Sequence, residues 1–96
     1  MTGEDDGRGE PAELAVAAAG DRLCALLGEL DAIHRELAGL VRRRGREAWG
    51  AAQLDRYHEL ARAELVAHRR LVVARDRFDA ARRRAAVARA RSRAST

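Results

Sequence analysis

The spacing of apolar residues is the feature that most constrains this chain. Between residues 23 and 41 they recur three and four positions apart, which aligns them on one face of an α-helix. The aligned residues are Leu23, Leu26, Leu27, Leu30, Ile33, His34, Leu37, Leu40 and Val41. Strands are disfavoured, because the chain has one Trp, one Tyr and one Phe while alanine, leucine and arginine dominate. The sequence therefore predicts an all-α protein.

Proline and glycine mark the ends of the helical pattern. Pro11 suits the first turn of a helix, and Gly45 suits the left-handed position just past a helix end. We predict helix 1 over about 11–44, a turn over about 45–48 and helix 2 over about 49–91. An acidic tail over 1–10 and a basic tail over 92–96 are predicted to be disordered. A break within helix 1 at Gly20 and Asp21 is the alternative boundary.

Helix 2 carries two sets of apolar residues. The first has a heptad-like spacing and is rich in alanine, which lets a facing helix approach closely. It consists of Tyr57, Leu60, Ala67, Leu71, Ala74, Phe78, Ala81, Ala85 and Ala88. We expect this set to pack on helix 1 in an antiparallel, coiled-coil-like hairpin. The second set lies on other sides of the helix, where helix 1 cannot also cover it, and comprises Leu65, Val66, Val72, Val73, Ala80 and Val87.

This uncovered set indicates a binding function. A chain of 96 residues forms one domain at most, and a two-helix hairpin buries so little that oligomerisation is a usual route to stability. We predict a homodimer that completes a four-helix bundle. Its predicted interface residues are Leu65, Val66, Val72, Val73 and Val87. A different protein partner could cover the same surface. We therefore interpret the chain as a self-associating, non-catalytic adaptor module.

The charge is unevenly distributed along the chain. Residues 82–93 contain six arginines and no acid, whereas residues 1–13 contain five acids and one arginine. One interpretation is a solvated helix end beside an acidic tail; the other is contact with nucleic-acid phosphates. The candidate contacts are Arg82, Arg83, Arg84, Arg89, Arg91 and Arg93. Because no helix-turn-helix, zinc finger or aromatic stacking set accompanies them, the alternative function is nucleic-acid binding without sequence readout.

Few residues suggest site chemistry. With a turn near Arg46, His34 is level with His58 and Cys24 with His68, and the carboxylates of Glu29, Asp31, Glu59 or Glu64 could complete a metal site. We favour the simpler interpretation that these histidines flank the helix seam in contact with water. Cys24 has no neighbouring base, and serine and threonine lie near the chain ends. No catalytic, cofactor-binding or metal-binding residue is therefore predicted.

The remaining expectations concern location and source. A single cysteine excludes an intramolecular disulfide, the N-terminus lacks a secretory pattern, and no apolar run approaches the roughly twenty residues of a membrane span. A soluble cytoplasmic protein is expected. All nineteen basic residues are arginine, which indicates a GC-rich coding sequence and a bacterial source.

Two families resemble parts of the chain. Residues 27–44 are similar to the first helix of the all-helical chorismate mutases, with Arg44 at a substrate-binding arginine position. Leu27 and Asp55 stand where that family has its first substrate arginine and its lysine, and Gly45 and Gly50 interrupt the helix. This resemblance therefore implies a helix shape and excludes that catalysis.

The second resemblance is to the small secreted proteins of the WXG type, which are exported as helical-hairpin dimers. It comes from the chain length, the hairpin and a tryptophan near the turn. Trp49 is followed directly by Gly50, so the motif's spacing differs. The second alternative function is accordingly a small secreted helical-hairpin protein.

Overall fold

The computed structural model describes the backbone of residues 2–95 and the side chains of residues 10–95. It contains two α-helices, α1 over Thr2–Arg44 and α2 over Ala51–Ala94, joined by residues 45–50. The two helices pack against each other and the described residues form no strand. The predicted all-α hairpin is confirmed.

Neither helix in the described part of the chain is long and apolar enough to cross a membrane.

Helix α1 differs from its predicted form at its start. The backbone is helical from Thr2, and Pro11 lies inside the helix rather than in its first turn. Proline has no N–H to donate to the carbonyl four residues before it, so one helical hydrogen bond is missing at this point. The single missing bond does not end the helix. Residues 2–10 thus have a helical backbone where the sequence predicted a disordered tail.

The alternative break at Gly20 and Asp21 was wrong, since α1 runs through both residues. A glycine inside a helix costs only about 1 kcal/mol relative to alanine, which tertiary packing readily offsets. Here that packing is visible: a Cβ atom on Gly20 would lie 3.3 Å from Cε2 of Phe78. Gly20 therefore admits the phenyl ring of α2 rather than ending the helix.

The chain forms two compact units, each containing a segment of both helices. The loop unit is Ala25–Leu71. Its buried side chains are at most 7% exposed and are Leu26, Leu30, Leu40, Leu60 and Ala67. The half-buried residues around them include Ile33, Leu37, Tyr57, Glu64 and Leu71. All except Glu64 belong to the two predicted apolar stripes, so the sequence located this core correctly.

The terminal unit is Met1–Cys24 with Val72–Thr96. Among the side chains of this unit that the structure describes, the buried ones are alanines, namely Ala74, Ala81 and Ala85. The half-buried apolar residues around them include Ala12, Val16, Ala19 and Leu23 of α1 and Phe78 and Ala88 of α2. Because alanine buries less apolar area than leucine, this unit has less hydrophobic stabilisation than the loop unit.

The end of α1 is closed by backbone hydrogen bonds rather than by a left-handed glycine. The N–H groups of Arg46 and Glu47 both donate to the Arg43 carbonyl, each at 3.0 Å. None of the described glycines has a positive φ, so the left-handed conformation predicted for Gly45 was wrong. The tight turn supplies the donors that the last helical carbonyls need.

Trp49 and Gly50 connect the turn to α2. The indole N–H of Trp49 donates to the Leu40 carbonyl at 3.1 Å, and the Arg44 guanidinium lies 5.0 Å from the indole centroid. The N–H of Gly50 donates to Oε1 of Gln53 at 2.9 Å, which caps the first turn of α2. These contacts hold the turn between the two helix ends.

Candidate functional site

Large apolar side chains remain exposed along α2. In the loop unit Leu65 and Val66 are 54% and 43% exposed. In the terminal unit Val72 is 60% exposed, and Val73 and Val87 are each 49% exposed. Ala80, from the same predicted set, is half-buried. The five exposed residues are called the outer face of α2 below, and helix α1 does not cover them.

The exposed apolar surface also includes residues of α1 that the sequence pattern assigned to the covered stripe. Leu27, His34 and Val41 are all exposed. These three residues lie seven apart, whereas the buried and half-buried side chains of α1 between Ala12 and Leu40, glycines left aside, alternate between spacings of three and four. A strict alternation places this series on the flank of the seam rather than within it. The predicted apolar face of helix 1 therefore included three residues that α2 does not cover.

The arginines near the end of α2 have different surroundings. Nη1 of Arg89 lies 2.8 Å from Oε1 of Glu13, which pairs α2 with α1 inside the terminal unit. The Arg82 guanidinium lies over the Phe78 ring, 5.6 Å from its centroid. Arg93 is exposed. Arg82 and Arg89 thus have structural partners of their own.

The other three arginines of this set share a groove. Arg83, Arg84 and Arg91, with Val87 and Ala88 between them, line an open groove of about 430 Å³. No acidic residue lines this groove. Its electrostatic character is therefore entirely basic, and an anion could approach it without repulsion from a lining carboxylate.

A polar cluster joins the two helices in the loop unit. Nε2 of His34 lies 2.8 Å from Oε2 of Glu64, and the rings of His34 and His68 are 6.1 Å apart between centroids. One ligand atom from each of His34, Glu64 and His68 lies within 4.8 Å of the other two. Glu64 is half-buried, while both histidines are exposed. We call these three residues the histidine cluster.

The pairs of residues predicted from the sequence differ from those in this cluster. The sequence placed His34 level with His58, but the ring of His58 instead contacts Tyr57, 5.8 Å away between centroids. Glu64 is six residues beyond His58, which at 3.6 residues per turn places it about 120° around α2, so the two side chains point in different directions. Cys24 is an exposed free thiol and is not part of the cluster. The four-residue spacing of Glu64 and His68 was the available sequence signal.

A second polar bridge lies nearer the turn. Nη2 of Arg56 lies 2.7 Å from Oε2 of Glu36, and Nη1 of Arg56 lies 3.1 Å from Oε2 of Glu59. The hydrogen bonds to Glu36, and secondarily those to Glu59, raise the pKa of Arg56 above its ordinary value. The guanidinium is solvent-exposed, so this bridge orients the helices more than it stabilises them.

Comparison with known proteins finds no matching family model, no matching curated protein and no matching solved structure.

Proposed function

We propose that this chain is a non-catalytic protein-interaction module that self-associates through the outer face of α2. The observation that carries the proposal is the exposure of its leucine and valine side chains, between 43% and 60% each. Exposed apolar area costs about 25 cal/mol per Å² relative to burial, so covering this face stabilises an assembly. Several large apolar side chains exposed on one helix are typical of a protein interface.

A second copy of the chain is the partner we favour. Leu65 and Val72 lie seven residues apart, as do Val66 and Val73, which is the repeat that lets two helices pack along their length. A two-fold axis presents the same surface from both copies, so one apolar face covers the other. Two hairpins joined in this way would form a four-helix bundle.

Charge on the same helix supports an antiparallel pairing of the two copies. Arg69 and Asp76 are both exposed and lie three residues either side of Val72 and Val73. A two-fold axis near those two valines brings Arg69 of one copy beside Asp76 of the other. The contact between these opposite charges favours a second copy in this orientation.

The experiment that tests this proposal is the light-scattering mass of the purified chain after size exclusion. We expect a dimer for the wild type and a monomer for the double variant Val66→Glu/Val73→Glu, because two carboxylates cannot be buried against the same face of a second copy. Far-ultraviolet circular dichroism should show that the variant keeps its helix content.

Leu14→Glu is the matched control. Leu14 is the most exposed large apolar side chain of α1, at 63%, and lies outside the outer face of α2. The control should keep the wild-type mass. A monomeric wild type, or a dimer that survives the double substitution, would refute self-association through this face.

Nucleic-acid binding is the second candidate function, and the basic groove of Arg83, Arg84 and Arg91 favours it. Three guanidinium groups with no lining carboxylate can neutralise phosphates without reading base sequence. This function would use the end of α2, where Val87 belongs to both surfaces, and would leave the other four residues of the outer face free for self-association.

A further inference from the structure

The histidine cluster carries an inference that is independent of self-association. We propose that His34, Glu64 and His68 form a binding site for a divalent transition-metal ion, of which zinc is the best representative. The three side chains come from both helices of the loop unit, so a bound ion would link α1 to α2.

The donor atoms define the class of ion. Two imidazole nitrogens and one carboxylate oxygen are ligands that suit zinc and its neighbours in the transition series. Magnesium and calcium prefer sites built from oxygen alone. The cluster therefore selects zinc, nickel, cobalt or copper over the abundant alkaline-earth ions.

The positions of the ligands are compatible with a shared ion. Glu64 and His68 are four residues apart on α2, so they lie on one side of the helix a single turn apart. His34 reaches them from α1, and its Nε2 is already 2.8 Å from Oε2 of Glu64.

Only a small rearrangement is needed to complete the site. The three ligand atoms lie within 4.8 Å of one another. A zinc ion about 2.0–2.2 Å from each of them requires separations below about 4 Å, so movements on the order of 1 Å suffice. Both imidazoles are solvent-exposed and can rotate by this amount. Water would occupy the remaining coordination position.

The half-buried position of Glu64 favours a cation at this cluster. Glu64 is the one residue of the loop-unit core that is charged, and it lies along α2 between Leu60, Ala67 and Leu71. A carboxylate in such a position needs a partner of opposite charge or a donor. A divalent metal ion bound between the three side chains supplies that charge.

The test is isothermal titration calorimetry of the full chain with zinc chloride. Cys24→Ser is used as the background for every sample, because a free thiol binds zinc by itself. The variants are His68→Ala and Glu64→Gln, and the control is His58→Ala, which removes an exposed imidazole of the same unit that lies outside the cluster.

We expect one zinc ion per chain in the background protein, with no comparable binding of magnesium. His68→Ala and Glu64→Gln should each weaken zinc binding at least tenfold, the scale of loss seen when even an outer-shell partner is removed. His58→Ala should bind as the background does. Zinc should also raise the melting temperature of the background protein and leave that of His68→Ala unchanged.

Three outcomes would overturn the proposal. These are the absence of saturable zinc binding, unchanged affinity in His68→Ala, and an equal loss of affinity in His58→Ala. In each case the contact of His34 with Glu64 is a hydrogen bond that sets the helix register. If Glu64→Gln alters the helix content, the comparison of His68→Ala with His58→Ala decides the question, since both substitutions are at exposed positions.

Discussion

Three glycines inside α1 have different surroundings at the scale of single residues. A Cβ atom placed on Gly20 would lie 3.3 Å from Cε2 of Phe78, which is a tight contact. A Cβ atom on Gly28 or Gly39 would meet no other atom within 4 Å. The sequence left open whether Gly28 and Gly39 admit a close partner or are merely tolerated, and within one chain no neighbouring atom requires glycine at either position.

Alanine substitutions at these three glycines should change the free energy of unfolding by different amounts. We expect Gly28→Ala and Gly39→Ala each to raise the free energy of unfolding by about 1 kcal/mol, because alanine loses less backbone entropy in a helix. Gly20→Ala should gain less, since the Phe78 ring must move by a few tenths of an ångström to accept the methyl group. Urea denaturation followed by circular dichroism measures all three differences.

A loss of stability in Gly28→Ala or Gly39→Ala would contradict this prediction. It would mean that another copy or another protein packs directly against that glycine, where a methyl group cannot fit.

At the scale of the helices, the two units differ in what they bury. The loop unit buries four leucines and one alanine, whereas the buried residues of the terminal unit are alanines. A leucine carries three more carbon atoms than alanine, worth about 2 kcal/mol at about 0.8 kcal/mol per buried methylene. The same two helices are therefore held together unequally along their lengths.

Amide hydrogen exchange should reveal this inequality. We expect the amides of residues 12–23 and 74–88 to exchange faster than those of residues 26–40 and 57–71, because local opening of the terminal unit exposes less apolar surface. The measurement is best made on Val66→Glu/Val73→Glu, in which self-association does not add protection. Equal protection along both helices would show that the alanine core is not the weaker part.

At the scale of the whole molecule, charge bears on the second candidate function, nucleic-acid binding. The chain has a net charge of +4, and a surplus of this size attracts any polyanion weakly. The basic groove adds a localised site for anions, because its three arginines lie together without a lining carboxylate.

A matched pair of triple variants distinguishes the contribution of the basic groove to DNA binding from that of the net charge. We expect Arg83→Gln/Arg84→Gln/Arg91→Gln to weaken binding to short duplex DNA and to reduce the slope of log K against log salt by about 3, or about 1 for each lost phosphate contact. Arg70→Gln/Arg75→Gln/Arg77→Gln removes the same charge from exposed positions elsewhere on α2 and should change both quantities less. Fluorescence anisotropy at low and high salt measures them.

Equal effects of the two triple variants would mean that only net charge matters. An absence of DNA binding by the wild type at low salt would remove nucleic-acid binding from the candidate functions.

The sequence alone was sufficient for the class of fold, the two helices and most of the loop-unit core. Spacing of three and four residues is a local property, and it placed Leu26, Leu30, Leu40 and Leu60 on buried faces. It also placed Leu65 and Val72 outside them, because residues of one helix hold fixed angular positions whatever lies beside the helix.

Tertiary structure decided everything that depends on how the two helices face each other. The side of α2 that faces α1 determined which residues meet His34, and so brought Glu64 and His68 to it instead of His58. The approach of Phe78 gave Gly20 its role in packing, and the register of the two helices brought Glu13 to Arg89. Such pairings follow from the relative register of two separate segments, and no pattern within either segment contains that register.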